Sequence, residues 1–428
     1  MSPAPPRSAD GAMDRAGDAS LPLSDLKVLD LSRLLPGGFC SLMLADMGAD
    51  VLKIEDTGGG DYMRWAPPYL GDEEHSALGT RSALYLALNR NKRSARLDLK
   101  SDGGREAFLR LARTYDVVLE SFRPGVLDRL GVGYDVLREV NPGLVYCAIT
   151  GYGQSGSQSQ RAGHDINYLG QNGVLALTGE PGGAPVQGAV QVADLGGGAM
   201  MAVIGILTAL RERDRSGEGQ LVDVSMTDGS LSWLAFSVAR YLAEGQPLRR
   251  GAAELNGGLL CYRPYEAKDG WVSLGALEAK FWHSFCRGVG REDLIERQFD
   301  PPGSPAAEEL TAIFRERTRK EWREFNDAHD CCLEPVAELE EALDSELVRE
   351  REMVVELDQP LIGTVRQLGI PLKLSRTPGE VRTPAPALGE HTAAALGEAG
   401  YSDNEIDALL AAGAASGPPA EAEEAFMG

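Results

Sequence analysis

Short apolar, β-branched runs alternate with helical stretches from Leu26 onward, and this alternation constrains the fold more than any other feature of the sequence. KVLDLS at 27–32 predicts a strand, the following Pro36-Gly37-Gly38 leads into the helical FCSLMLADMG, and DVLKIE at 50–55 predicts the next strand. Further strands are predicted at 94–99, 116–121 and 144–153, with helices near 103–114 and 125–130. Strands separated by helices pair in parallel and are covered on both faces. The sequence therefore predicts an α/β fold with a mostly parallel sheet.

Composition divides the rest of the chain into distinct parts. Residues 1–20 and 413–428 are rich in Ala, Pro and acidic residues and are predicted to be disordered tails. An aromatic-rich block with strands such as GWVSLGA and amphipathic helices such as AKFWHSFCRGVG predicts a smaller α+β domain. The predicted order is a large domain begun by 21–230, a linker helix at 231–257, the small domain at 258–345 and a Pro- and Gly-rich return segment at 346–412.

Charge and cysteine usage exclude several classes of protein. The chain has 42 Lys and Arg against 64 Asp and Glu, a net charge of −22, which argues against binding nucleic acid or anionic membranes by bulk charge. The longest apolar run, Ala199–Leu210, is shorter than the about 20 residues of a membrane span and predicts a core helix. Six cysteines without CxxC or paired His spacing predict free thiols in a reducing compartment and no metal site. We therefore expect a cytoplasmic protein without nucleic-acid or membrane partners.

Two segments of the large domain are candidate anion sites, each with a structural alternative. Gly37-Gly38 lies where a strand feeds a helix N-terminus, which can hold a phosphate, although a tight turn that lets strand and helix pack closely is favoured. The segment 90–100, RNKRSARLDLK, concentrates five positive charges in an acidic chain. It suits an anionic ligand and, equally, a solvated edge strand guarded by charge.

Three acid–base groups are candidates for chemistry. His164, in GHDINYLGQNG, offers a proton acceptor near neutral pH at a helix N-terminus, although a structurally satisfied histidine is the commoner case. Asp194 precedes three glycines at the head of the most apolar helix, which fits an N-cap or a backbone that something approaches closely. Glu278, in GALEAKF, is by default a capping residue. The adjacent Cys331 and Cys332 lack a base at defined spacing. They are therefore interpreted as buried packing residues and not as nucleophiles.

Long motifs spread over nearly the whole chain, from about Leu26 to about Ala412, resemble one family. The motifs are VLDLSRLLPGGFCSLMLADMGADVLKIE, NRNKRSARLDLK, VVLESFRPGVLDRLGVG, GYGQSGSQSQRAGHDINYLGQNGVLALTG, VADLGGGAMMAVIGILTALRERDRSGEGQLVDVSM and the late GEHT. They resemble the family III CoA-transferase (CaiB/BaiF) and α-methylacyl-CoA racemase superfamily. The resemblance implies a Rossmann-like large domain that binds CoA, a smaller α+β domain, and a homodimer of two interlocked chains. It also implies that the large domain takes strands from both chain ends, so that 346–412 completes it.

The residue before Asp165 differs between the subtypes of this superfamily. Transferases generally carry an aromatic residue there, whereas the racemase branch carries His, as in the AGHDINYL of this chain. The resemblance to racemases implies that His164 and Asp194 are two bases on opposite sides of the substrate α-carbon, supported by Glu278 from the partner chain. The expected reaction inverts C2 of a 2-methyl-branched acyl-CoA through an enolate, with CoA as part of the substrate and no separate cofactor. In transferases Asp194 is instead the nucleophile that carries an acyl anhydride and then a CoA thioester.

The resemblance also names residues that contact CoA. They are Arg123 in SFRPG, the LDLK residues Leu97, Asp98, Leu99 and Lys100, and the stretch Gly163, Asp165, Ile166, Asn167 and Tyr168. Asp56 stands where racemases commonly have an Arg on a CoA phosphate, so that contact is expected from Lys53, Arg93 or Lys100. The inserted residues 61–86 are a length more typical of transferases, which keeps a CoA transferase with covalent Asp194 as the alternative. A non-catalytic CoA-binding protein is disfavoured because His164, Asp194 and Glu278 occur together.

Overall fold

The computed structural model describes residues 21–71 and 81–419. The strands are β1 Lys27–Asp30, β2 Asp50–Glu55, β3 Lys92–Leu97, β4 Val117–Glu120, β5 Val145–Thr150, β6 Leu221–Ser225, β7 Tyr262–Ala267, β8 Gly270–Gly275, β9 Leu333–Pro335, β10 Val354–Gln359, β11 Gly363–Leu368 and β12 Ala415–Ser416. The α-helices are α1 Leu34–Asp46, α2 Ala83–Asn89, α3 Asp102–Ala112, α4 Val126–Arg129, α5 Tyr134–Val140, α6 Asp165–Gln171, α7 Val174–Leu177, α8 Met201–Ser216, α9 Met226–Ser232, α10 Ala235–Glu244, α11 Ala279–Gly288, α12 Pro305–Arg315, α13 Arg319–His329, α14 Leu339–Leu343, α15 Glu346–Glu350, α16 Thr392–Glu398 and α17 Asp403–Ala411.

A seven-stranded sheet in the order β12-β3-β2-β1-β4-β5-β6 forms the centre of the large domain. Strands β1 to β6 are parallel, and β12 is antiparallel to β3. The order 3-2-1-4-5-6 is that of the Rossmann fold, and it changes direction between β1 and β4. Ligands of such sheets bind beyond the carboxyl ends of the strands at this switch point. The predicted α/β class with a mostly parallel sheet is confirmed.

Both faces of the sheet are buried, which explains why the strands read as continuous apolar runs. Successive strand residues point to opposite faces, so Leu29 joins a cluster that includes Phe108, whereas Val28 joins a second cluster that includes Ile206. The first cluster packs α3, α5, α16 and α17 against the sheet, and the second packs α1 and α8.

The segment after residue 353 returns to the large domain. The β10–β11 hairpin is followed by extended chain, and the His391 N–H donates to the carbonyl of Ser94 on β3 at 2.8 Å. Composition predicts a disordered tail from residue 413, but Ala415 pairs with Leu97 and closes that edge of the sheet. The tail prediction is therefore wrong for the residues of β12. Residues 1–20 and 420–428 of the two predicted tails lie outside the described residues.

The small domain has its own sheet and core. Strands β7, β8 and β9 pair antiparallel, and α11, α12 and α13 pack on them through Trp282, Phe314 and Trp322. The preceding helix is shorter than the predicted linker helix at 231–257. It is α10, which ends where Gly245 adopts φ +65°, a left-handed conformation that terminates helices.

The most apolar run lies in one long helix. Residues Ala193–Met200 are π-helical and continue directly into α8. Within the described ranges, Ala193–Ser216 is the one helix that is long and apolar enough to cross a membrane by length and composition. A core helix of a globular domain passes the same test, and Ala199, Ala202 and Ile206 of this helix are buried in the core.

Candidate active site

A cavity of about 900 Å³ opens at the switch point of the sheet. Its walls include the carboxyl ends of the strands and the residues that follow them: Arg33 and Leu34 after β1, Ser121–Pro124 after β4, and Ile149–Gly151 at the end of β5. The N-terminal part of α6 and Asp194 complete it. The topology therefore brings together groups that are far apart in the sequence.

His164 lies at the mouth of this cavity, immediately before α6. Its backbone N–H donates to the side chain of Asn167 at 3.0 Å, and its carbonyl accepts from the Asn167 N–H at 2.8 Å. Asn167 thus fixes the backbone of His164 at the helix start. The His164 side chain forms a capping box with Asn167, and the imidazole is exposed to the cavity. The ring is accordingly available to a bound molecule.

The backbone before His164 is held by Tyr168. The Tyr168 hydroxyl donates to the carbonyl of Gly163 at 2.5 Å. A Cβ at position 163 would lie 2.6 Å from the Tyr168 ring, so this contact requires glycine. Burial, together with the charge of Asp194, raises the pKa of Tyr168 to about 12. Tyr168 therefore stays neutral and supports the loop that carries the histidine.

Asp194 faces the same cavity from the first turn of the long helix. Asp165, which is buried, accepts hydrogen bonds from the N–H groups of Ala193 at 2.7 Å and Asp194 at 3.1 Å. The Asp194 carboxyl group has no hydrogen-bond donor among the described residues. Burial raises its pKa to about 6; the charge of Asp165 adds to this rise, and His164 opposes it. Asp194 is therefore a stronger base than an ordinary aspartate.

The three glycines after Asp194 serve helix packing. A Cβ on Gly196 would lie 2.4 Å from the Trp233 ring, and one on Gly197 would lie 2.5 Å from the carbonyl of Met226. The group that approaches this backbone is thus the segment of α9. Gly37 has the same explanation, because its Cβ would lie 2.1 Å from that of Ser32. Close packing of loop and helix is the role that the structure supports there.

Two arginines of the cavity are candidates for holding an anion. Arg123, predicted from the SFRPG motif, has no carboxylate within ion-pair distance among the described residues. Arg33, which the sequence analysis did not select, pairs with Asp56 at 2.6 Å and lies over the rings of Tyr62 and Phe122. The signal that could have found Arg33 is its position directly after the first strand, where switch-point ligands bind.

The basic segment 90–100 is mostly committed to internal ion pairs. Arg90 pairs with Asp46 at 2.7 Å, and Arg93 pairs with Asp50 at 2.7 Å and Glu398 at 2.9 Å. Lys92 is fully buried 3.8 Å from Asp30, and its burial lowers its pKa to about 8. Arg96 donates to backbone carbonyls, including those of Gly58 and Gly417.

The expected replacements for the missing phosphate contact differ in availability. Lys53 is buried in an ion pair with Asp61 at 2.9 Å, and Arg93 is paired with Asp50 at 2.7 Å. Neither side chain is therefore free to bind a phosphate. Lys100 is exposed and without an ion-pair partner among the described residues. It follows β3 at the carboxyl edge of the sheet together with Leu97, Asp98 and Leu99, but none of these four lines the cavity.

The remaining candidates do not line the cavity. Glu278 precedes α11 in the small domain and does not line the cavity, and neither does Ile166, although Gly163, Asn167 and Tyr168 do. Cys331 is buried, and burial also raises the pKa of the exposed Cys332 thiol, which therefore is not activated. Over residues 21–71 and 81–419 no group of three or more His, Cys, Asp or Glu is arranged to hold a metal ion.

Comparison with known proteins gives one consistent answer. Residues 23–392 match CoA-transferase family III. Succinyl-CoA:mesaconate CoA-transferase of Haloarcula hispanica is 36% identical over 397 residues, covering 88% of this chain and 96% of that protein. Alpha-methylacyl-CoA racemase of Mus musculus is 36% identical over 393 residues, covering 90% and 95%. The crystal structure of a CAIB/BAIF family protein from Brucella suis has a TM-score of 0.76 at 31% identity and covers 89% of this chain and 100% of that one. The chain therefore belongs to CoA-transferase family III, a superfamily of enzymes that includes both racemases and CoA-transferases.

Proposed function

We propose that this protein is an acyl-CoA racemase that inverts C2 of 2-methyl-branched acyl-CoA thioesters. The observation that carries the proposal is that one cavity is lined by both the exposed His164 and the Asp194 carboxyl group, which accepts no hydrogen bond from the described residues. Their charges interact, and burial raises the pKa of Asp194 to about 6, so this carboxylate is a stronger base than an ordinary aspartate. A two-base inversion requires one group that removes a proton and one that delivers a proton to the same carbon.

The chemistry is a 1,1-proton transfer. One of the two groups removes the α-proton of the thioester, whose carbonyl carries the resulting charge as an enolate. The other group delivers a proton to the opposite face of the same carbon, and the roles exchange for the other enantiomer. CoA is part of the substrate in this scheme, and no separate cofactor is needed.

The active form proposed here is a homodimer. Helix α10 contains no buried residue, and its Phe236 and Leu242 are 84% and 74% exposed. Trp233 and Tyr241 extend this apolar surface. An apolar face of this kind fits a second copy of the chain, and Glu278, which does not reach its own cavity, is proposed to act in the partner's. All six cysteines are free thiols, which supports a reducing, cytoplasmic location.

CoA transfer between carboxylic acids is the second candidate. It is favoured by the succinyl-CoA:mesaconate CoA-transferase, which is as similar to this chain as the mouse racemase. Tyr62 and Met63, from the segment whose length is typical of transferases, also line the cavity. In this reaction the Asp194 carboxylate attacks the thioester carbonyl and releases CoA as thiolate. The thiolate then attacks the aspartyl carbonyl of the anhydride and releases the first acid, and an acceptor carboxylate takes the CoA in the reverse sequence.

Isotope exchange separates the two candidates. A racemase incubated in D₂O with a 2-methylacyl-CoA exchanges the α-proton with no acceptor acid present, and mass spectrometry measures the gain. A transferase moves CoA only when an acceptor acid is added, and hydroxylamine traps its aspartyl anhydride or thioester intermediate as a hydroxamate. CoA transfer between two acids without α-proton exchange would overturn the racemase proposal.

A further inference from the structure

One buried ion pair holds the loop between β1 and α1 from two sides. The Lys53 ammonium lies 2.9 Å from the Asp61 carboxylate, and both side chains are almost completely buried. Lys53 also donates to the carbonyl of Ser32 at 2.7 Å, and Asp61 accepts from the N–H of Leu34 at 3.2 Å. The residue between these two contacts is Arg33.

The ion pair is charged on both sides. Burial is the largest single influence and favours the neutral forms, but the charges of Asp61, Asp30 and Glu55 together raise the pKa of Lys53. The charge of Lys53, together with hydrogen bonds from Lys53 and from the N–H groups of Met63 and Leu34, lowers the pKa of Asp61 despite its burial. A buried ion pair contributes little more net stability than apolar residues of the same volume, so stability alone is a weak reason for one at this position.

The loop it holds is strained. Leu34 has φ +63°, a left-handed conformation that is costly for a residue with a branched side chain, and it is partly exposed in the cavity. Such conformations persist where the surroundings over-determine them. Here the contacts of Asp61 to Leu34 and of Lys53 to Ser32 supply that constraint.

The position of Arg33 follows from the same constraint. Its N–H donates to the Ser121 hydroxyl at 3.1 Å, and its guanidinium pairs with Asp56 and lies 4.9 Å from the centre of the Tyr62 ring. Tyr62 directly follows Asp61, whose carboxylate also accepts from the N–H of Met63 at 3.0 Å. The ion pair thus connects both the backbone of Arg33 and the ring on which Arg33 lies.

We infer that Lys53 and Asp61 are positioning residues for acyl-CoA binding, which fix the strained β1–α1 loop so that Arg33 is held at the cavity toward the anionic CoA. The inference rests on the proposed function only in naming CoA as the anion. Lys53 itself contacts no substrate, because it is enclosed beneath the loop.

The test removes both charges at once. The double variant Lys53→Met with Asp61→Asn leaves no unpaired buried charge and retains an amide oxygen for the Leu34 and Met63 N–H groups, so it is expected to fold. The matched control is Arg90→Met with Asp46→Asn, which deletes an equally buried ion pair that does not touch the loop. Amide hydrogen exchange of residues 32–35, the affinity for free CoA by calorimetry, and the melting temperature are measured for all three proteins.

The expected result is specific to the first variant. Exchange at Arg33 and Leu34 accelerates by about tenfold or more as the loop opens locally, and CoA binds about tenfold more weakly because the guanidinium loses a charge-assisted contact. The melting temperature of the control falls by a similar amount, whereas its amide exchange rates at residues 32–35 and its affinity for CoA stay at the wild-type values. Unchanged exchange in the first variant, or equal changes in the control, would overturn the inference. A wild-type protein that does not bind CoA would refute the proposed function and the CoA role, while the exchange rates would still decide whether the pair fixes the loop.

Discussion

The pKa of the Asp194 carboxyl group depends on its neighbours. Among these neighbours, Asp165 can be replaced by the nearly isosteric Asn. Asp165 raises the pKa of Asp194 by its charge and also accepts from two helix N–H groups. Asn at this position keeps an acceptor oxygen and removes the charge. For the enantiomer from which Asp194 removes the proton, Asp194 must be ionised; because its pKa is about 6, kcat/KM for that enantiomer should fall as the pH drops below about 6.

In Asp165→Asn, we expect the fall of kcat/KM in acid to begin at a lower pH than in the wild type. The maximal kcat/KM at higher pH should be only modestly reduced. The pH dependence of α-proton exchange in D₂O measures it. Asp165→Ala, which also removes the acceptor, should lower the maximal kcat/KM as well. A fall that begins at the wild-type pH in Asp165→Asn would contradict the electrostatic coupling of the two carboxyl groups.

Removal of either proposed base gives the second prediction at this scale. His164→Ala and Asp194→Ala should each lower the rate of epimerisation by on the order of 10² or more, the usual loss for a positioned acid or base. His329→Ala, a histidine of the small domain that packs on Phe325, is the matched control and should retain the wild-type rate. Loss of activity in Asp194→Ala alone, with His164→Ala fully active, would favour the nucleophilic role of Asp194.

At the scale of elements, the carboxyl end of β4 holds an unused acid. Burial raises the pKa of Glu120 to about 8, although the Phe122 N–H at 2.6 Å and the Tyr146 hydroxyl at 3.5 Å donate to it. A carboxyl group whose pKa is raised on folding stabilises the fold fully below its unfolded pKa, near 4.5, and this contribution is lost as the pH rises through 8.

Glu120→Gln should therefore be more stable than the wild type at alkaline pH. Gln remains uncharged and keeps an acceptor for the Phe122 N–H. The difference in melting temperature between the two proteins should grow from about pH 5 to about pH 8 and then level off. Thermal unfolding followed by circular dichroism across that range measures it. A pH-independent difference would show that Glu120 is already ionised in the folded protein.

Local patterns predicted most strands of the large sheet. DVLKIE at 50–55 coincides with β2, and the predicted strand at 116–121 contains β4, because both runs are rich in Val, Leu and Ile, which favour buried strands. The two-residue β12 has no periodicity of its own, and its partner Leu97 is more than 300 residues away in the chain. The ion pairs of the large domain could not be predicted from local sequence either. Arg93 was predicted to bind a ligand because its partners, Asp50 and Glu398, are distant in sequence.

The principal residues of the candidate site could be predicted from the sequence, but the contacts that support them could not. His164, Asp194 and Arg123 were reached through the family resemblance, and the structure brings them to one cavity. The role of Asp165 as a support for Asp194, and the position of Arg33, depend on loops that meet only in the folded sheet. Residue pattern alone does not encode such meetings.

For the whole molecule, the proposed sharing of Glu278 between two copies predicts complementation. Asp194→Ala and Glu278→Gln should each be inactive as homodimers. In a mixed dimer, the cavity of the Glu278→Gln chain is intact and receives a normal glutamate from its partner. With random pairing in co-expression, half of the dimers are mixed and each has one complete site, so about a quarter of the wild-type activity should return.

Two results would contradict this arrangement. Absence of activity in the purified mixed dimer would mean that Glu278 acts in its own chain. A monomeric mass of the wild-type protein by light scattering would exclude a shared site. Phe236→Asp with Leu242→Asp, which charges the exposed face of α10, should weaken association, and Asp substitution at the exposed Leu361 is the control.

The late arrival of β12 has a consequence for how the protein is made. About 320 residues separate Leu97 from Ala415, and ribosomes add about 5–20 residues per second, so the edge of β3 waits roughly 15 to 60 seconds for its cover. An uncovered strand edge is a template for pairing with other chains. The small domain, with a core of its own, can complete folding during this interval. We therefore expect the outer edge of β3 to stay open to pairing with other chains until translation is nearly finished.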